Sequence, residues 1–278
     1  MEFSVFAAVL FAAVLHASWN AVIRRGSNRF QGMLLLTLTQ GMMGLLMTLF
    51  VPLPSGIIWV WVLGSGVLHT AYKLFLAAAY QHGDLSRVYP IARGSAPIFV
   101  VVVGFFLLPD SVQAKEYFGI ALIGVGVMMM ANGAFKSGEA RGIIPLALGS
   151  AVCTAGYSIV DGMGARVAEN ATMFTAWLFV FDAMLFTVFT GITRGRQVFK
   201  ASRKDWTIGV FAGSLSLLTY WIAVWAMTVA PIALVAAVRE TSVLFAVIIG
   251  VVILKEKAGI AKIVAAIVIL TGIVIIRF

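Results

Sequence analysis

Arg93 and Arg239 lie inside two long apolar runs, where an ionised side chain is costly unless something answers its charge. A guanidinium there must pair with an acid, donate to backbone carbonyls or meet an anionic ligand. Glu240 and Asp182 are acids at similar depth. Two readings stay open: a buried ion pair joining helices, or capture of a substrate carboxylate. His69, Tyr72, Lys73 and Tyr80 fall at i, i+3, i+4 and i+11, close to one helical face. Lys73 is too deep for easy snorkelling, so this stripe is expected to face a cavity. The alternative is a snorkelling lysine among tyrosines of an interfacial belt. His16, Trp19 and Asn20 share a face in the same way, as do Thr154, Tyr157, Ser158 and Asp161. Tyr220, Trp221 and Trp225 offer rings that could stack on a ligand or simply pack helices. A zwitterion would suit this set. Lys73, Arg93 and Arg239 could take its carboxylate; Asp161, Glu240 or neutral oxygens its amine; the aromatic rings the rest.

These residues must be positioned by elements that tolerate lipid. The 278 residues are 62% hydrophobic and 11% charged. Soluble domains are nearer half apolar and a quarter charged, so the solvent is a bilayer. Spans of roughly 20 apolar residues divide the chain into about ten helices. They run Phe3 to Ile23, Gly32 to Val51, Ile57 to Tyr80, Leu85 to Leu108, Tyr117 to Phe135, Ile143 to Met163, Met173 to Thr193, Trp206 to Thr228, Pro231 to Leu254 and Ala258 to Phe278. The first run has no basic segment before it and no clear cleavage site, and is read as a membrane helix. Pro90, Gly94 and Pro97 in the fourth predict a kink.

One stretch occurs twice. Ala92 to Gly126 aligns without a gap on Val238 to Gly272, placing Arg93 on Arg239, Phe99 on Phe245, Gly104 on Gly250, Asp110 on Glu256 and Gly126 on Gly272. Trp19 falls on Tyr157 in a weaker echo, Ala17 to Asn20 against Ala155 to Ser158. An odd number of helices in each half inverts one copy relative to the other. The expectation is an all-α integral membrane protein of about ten transmembrane helices in a five-plus-five inverted repeat, with halves 1–138 and 139–278. Loop cations concentrate on one side: Arg24, Arg25, Arg194, Arg196, Lys200 and Lys255 are among them, against Lys115, Arg166 and Arg277 on the other. That places the odd-to-even loops in the cytoplasm and both termini outside.

Ten helices, the inverted repeat, and an apolar helix ending in an acidic turn before a glycine-spaced partner resemble the drug/metabolite transporter superfamily, EamA type. The narrower likeness is to bacterial amino-acid exporters of the YddG kind. The resemblance covers essentially the whole chain. It implies a multi-pass protein of the bacterial inner membrane and a central cavity lined by helices one, three, four, six, eight and nine. The fifth and tenth helices pack behind it.

The expected activity is export of amino acids or similar metabolites by alternating access. The alternative is a proton-coupled multidrug exporter. Small drug exporters of the superfamily use a glutamate in the first span, which this chain lacks, and deep cations repel cationic drugs. An enzyme is disfavoured by the absence of a nucleophile elbow, paired aspartates or HExxH. His16, His69 and His82 show no zinc-ligand spacing, and one cysteine excludes a cysteine metal cluster, so neither metal nor cofactor is expected. The formal charge of +9 reads as topology and anionic lipid, not nucleic acid. The expected partners are the bilayer and a small-molecule substrate, with the chain acting as a monomer.

Overall fold

The computed structural model describes residues 1–23, 28–82, 85–130, 140–252, 255 and 259–278, with backbone alone for 29, 80–82, 85–87, 89–90 and 140–142. The helices are α1 (Phe3–Ile23), α2 (Arg29–Met47), α3 (Ile58–His82), α4 (Leu85–Leu107), α5 (Ala114–Met129), α6 (Ala140–Ala168), α7 (Ala171–Arg194), α8 (Arg203–Val229), α9 (Ile232–Glu240), α10 (Ser242–Val252) and α11 (Ile260–Arg277). No strand occurs among the described residues. Lipid offers no partner to exposed backbone, so helices that satisfy their own amides are what these apolar runs form. Eight segments are long and apolar enough to cross a bilayer, α9 and α10 together forming the span Ile232–Val252. The apolar stretch Ile91–Leu107 of α4, and α5, complete ten.

The packing obeys a two-fold relation between α1–α5 and α6–α11. α1 packs on α8 as α6 packs on α3, and α1 packs on α10 as α6 packs on α4. α2 with α7, and α5 with α11, pair directly across the axis. Glycine sets the α5–α11 approach: a Cβ at Gly119 would lie 2.9 Å from the Gly272 carbonyl, and one at Gly272 would lie 2.7 Å from the Gly119 carbonyl. These two helices stand behind the rest.

The prolines of α4 do not interrupt its helix. The backbone of α4 stays helical through Gly94 and Pro97; the Pro90 side chain lies outside the described residues. The ninth span is interrupted instead, at Thr241. Its N–H donates to the Val238 carbonyl at 3.1 Å, a tighter 3₁₀-type bond, and its Oγ1 donates to the same carbonyl at 2.7 Å. The break falls directly after Arg239 and Glu240, both buried.

Candidate functional site

A cavity of about 320 Å³ opens between the two halves. His16, Trp19 and Asn20 of α1, His69, Tyr72 and Lys73 of α3, Arg93 of α4, Tyr157 of α6, Tyr220 of α8 and Arg239 of α9 line it. These are six helices that the family resemblance implies. α2 and α7 also contribute, through Phe30, Met33, Leu36 and Gln40 and through Phe179, Asp182 and Arg194. Trp19 and Tyr157, aligned by the weak echo between α1 and α6, both reach the wall. Neither α5 nor α11 supplies a lining residue.

The deep charges are mostly matched. Lys73 pairs with Asp182, donates to Thr37 Oγ1 at 2.9 Å and lies 5.2 Å from the centre of the Phe186 ring. Thr70 Oγ1 adds a hydrogen bond to the other Asp182 oxygen at 3.2 Å. Arg93 Nε lies 3.0 Å from Glu240 Oε2, joining α4 to the end of α9. Carboxylates in this setting need such partners, because an uncompensated buried charge costs several kcal/mol. Arg239 has no acid within ion-pair distance among the described residues. Its guanidinium lies over the Tyr220 ring, 4.9 Å from the centre, and its buried Nε has no hydrogen-bond partner there. The indole N–H of Trp19 is likewise buried without a partner.

An aromatic box adjoins these cations. His69 stacks on Tyr157 at 4.1 Å and meets Tyr220 edge-on at 5.1 Å. Behind it lies Asp161, wholly buried and absent from the lining; His69 Nε2 contacts one of its oxygens at 2.9 Å and the Tyr220 hydroxyl donates to the same oxygen. Asn20 Nδ2 is spent on the His16 carbonyl of its own helix, 2.8 Å away, and the His16 and Trp19 rings meet edge-on at 4.9 Å.

Glu240 is in the cluster as the partner of Arg93, not as a lining group. Trp221 and Trp225 are not in the cavity: Trp221 Nε1 donates to Thr172 Oγ1 at 3.0 Å, and Trp225 is 40% exposed on the outer surface. One residue along a helix is a rotation of about 100°, so a face that holds Tyr220 cannot also hold Trp221. The Tyr80 side chain lies outside the described residues. The α2 wall is new: Gln40 Nε2 donates to Ser216 Oγ of α8 at 3.1 Å, and a lone glutamine in an apolar span was the available signal for it.

The cavity extends towards one membrane face. Ile23, Phe30 and Arg194 of its lining lie at helix ends on the face bearing the cation-rich loops, with Arg194 stacked 3.9 Å from the Phe30 ring. The opposite face is held together by Arg166 at the end of α6. It donates to both Asp110 oxygens, at 2.7 and 3.3 Å, and to the carbonyls of Met227 and Ala230 at 2.8 and 2.9 Å. Asp110 also accepts from the Ile232 N–H at 2.8 Å. Asp110, the acid of the first repeat's turn, thus ties the α4–α5 and α8–α9 turns to α6.

Residues 3–132 and 141–278 each match the EamA-like transporter family. The chain belongs to that family. It is a multi-pass membrane transporter of small molecules, and its relatives in the family are transporters, not enzymes. A relative from Latilactobacillus sakei subsp. sakei (strain 23K), named as a ribose uptake protein, is 28% identical over 231 residues, covering 78% of this chain and 76% of its own. A solved crystal structure 20% identical in sequence shares the fold, with a TM-score of 0.78 over 99% of this chain and 98% of its own.

Proposed function

We propose that this EamA-family transporter carries amino acids, or similar carboxylate-bearing metabolites, out of the cell across the bacterial inner membrane, working as a monomer. One observation carries the substrate class: Arg239 lines the cavity as a buried cation with no acid partner among the described residues. A carboxylate is the ligand that answers a planar guanidinium fork. The rings of Tyr72, Tyr157 and Tyr220 offer apolar faces for a side chain. A volume of about 320 Å³ lies at the small end of ligand cavities, ~300–1,000 Å³, and suits a metabolite better than a bulky drug. The cation-rich loops support placing the cavity mouth on the cytoplasmic side. Alternating access would rock the halves, 1–138 and 139–278, about the site between them.

A sugar is the second reading. The relative named for ribose uptake favours it, as does the unpartnered Trp19 N–H, which a hydroxyl could accept as readily as a carboxylate. Reconstituted protein, loaded inside liposomes with unlabelled substrate, is tested for counterflow of labelled amino acids and of labelled ribose. The expected result is counterflow of at least one amino acid, undiminished by excess ribose. Ribose counterflow with none of any amino acid overturns the carboxylate reading. Right-side-out and inside-out vesicles then distinguish export from the uptake that the relative's name describes.

A further inference from the structure

The ion-paired carboxylates do not all have partners of the same kind. Asp182 has Lys73, Glu240 has Arg93 and Asp110 has Arg166. Asp161 has His69. The ordinary proton affinities of lysine and arginine lie far above the physiological range, whereas that of an imidazole falls within it. Asp161 is wholly buried and its Oδ1 has no hydrogen-bond partner among the described residues. An anion so placed needs a counter-charge or a proton of its own. The geometry points to the His69–Asp161 pair as the proton-binding site of this transporter, through which transport is linked to the proton gradient.

The pair is built for that task. His69 lines the cavity, so its imidazole stands between cavity water and the enclosed carboxylate. Tyr157 against one ring face and Tyr220 at the edge fix the imidazole, and the Tyr220 hydroxyl is held on Asp161 itself. Charged and titratable groups of the surrounding helices share its cavity lining. Arg239 of α9 lies over Tyr220, and Lys73 with Asp182 spans α3 and α7. His16 of α1 is in the same lining, and Arg93 of α4 is already matched by Glu240. A proton that arrives through the cavity on one side of the membrane resides on the pair, and leaves by the same imidazole once the cavity faces the other side. No bond in the substrate changes. The inward proton gradient of a bacterial membrane would drive export by exchange, a sense that rests on the function proposed above; the proton site does not.

Two measurements separate these. Infrared difference spectra of the reconstituted protein between acidic and alkaline pH should show carboxyl and imidazole bands of the pair that are lost in Asp161→Asn. No Asp161-dependent change overturns the proton site, whatever the substrate proves to be. In proteoliposomes an imposed pH gradient should drive accumulation of the counterflow substrate by the wild type. Asp161→Asn should lose that accumulation at least tenfold while still catalysing measurable counterflow, because Asp161 does not line the cavity. A wild type indifferent to the gradient, or a variant still driven by it, also overturns the assignment. Failure of amino-acid counterflow with the infrared signal intact sinks the substrate class and leaves the proton site standing.

Discussion

Arg93 and Arg239 hold matching places in two copies of one repeat, yet their surroundings differ. Arg93 is matched by Glu240, which the second copy supplies next to Arg239. The first copy has Gly94 at the corresponding place, and no acid returns the favour. Packing explains why. A Cβ at Gly94 would lie 2.7 Å from Met128 Cγ, 3.0 Å from Met128 N and 3.2 Å from the Gly124 carbonyl, so α4 sits on α5 where a longer side chain has no room. Two cations and one acid leave a spare positive charge on the cavity wall. The duplication supplied symmetry of shape, and a local packing demand broke the symmetry of charge.

The most severe break of this comparison is Arg239→Ala. Loss of a charge-assisted contact in a buried site is worth about 2–5 kcal/mol, so the transport rate should fall about 30-fold or more. The fold should be little affected, since Arg239 joins no ion pair among the described residues. Initial rates of counterflow, with melting temperature in detergent beside them, check both halves of the statement. Arg93→Ala should behave in the opposite way. It strands Glu240 in a buried site, which costs about 3–5 kcal/mol of stability. The paired change Arg93→Met with Glu240→Gln should recover most of the loss in thermal unfolding. If Arg93→Ala melts like the wild type, the two arginines are not distinguished as described.

Much of this arrangement was legible in the sequence, for reasons that also mark where legibility stopped. An arginine in an apolar run can only be buried, so Arg93, Arg239 and Lys73 announced themselves. Spacing put His69, Tyr72 and Lys73 on one face, and the cavity is lined by all three. Pairing was not legible, because which acid meets which cation depends on helix positions that spacing along one chain does not give. Asp182 and Glu240 were both in view, but only the packing of α7 on α3, and of α9 on α4, decides between them. The break at Thr241 had no proline or glycine to signal it, and α4 is helical through Pro97. Lipid-facing and cavity-facing aromatics look alike in composition, which is how Trp225 came to stand beside Tyr220 as a candidate.

A gentler change, Gly94→Ala, tests the packing reason for the missing acid. Overpacking against backbone atoms of α5 should cost about 1–3 kcal/mol, seen as a lowered melting temperature, with counterflow kinetics of the folded fraction unchanged. An unaffected melting temperature would mean that space does not keep an acid from this position, and the charge asymmetry would need another cause.

The smallest effect is expected at Trp225. It shares α8 with Tyr220 but is 40% exposed on the outer surface, away from Arg239. Five residues separate it from Tyr220, a rotation of about 500°, which leaves the two side chains on different faces of the helix. Trp225→Ala should therefore change counterflow by no more than about twofold, the scale of substitutions outside structural or functional contacts. Tyr220→Phe should cost more: it keeps a ring beneath Arg239 but removes the hydroxyl that serves Asp161. A loss at Trp225 equal to the loss at Arg239 would mean that substrate meets the outer face of α8, and the spare charge between the repeats would then have no part in binding.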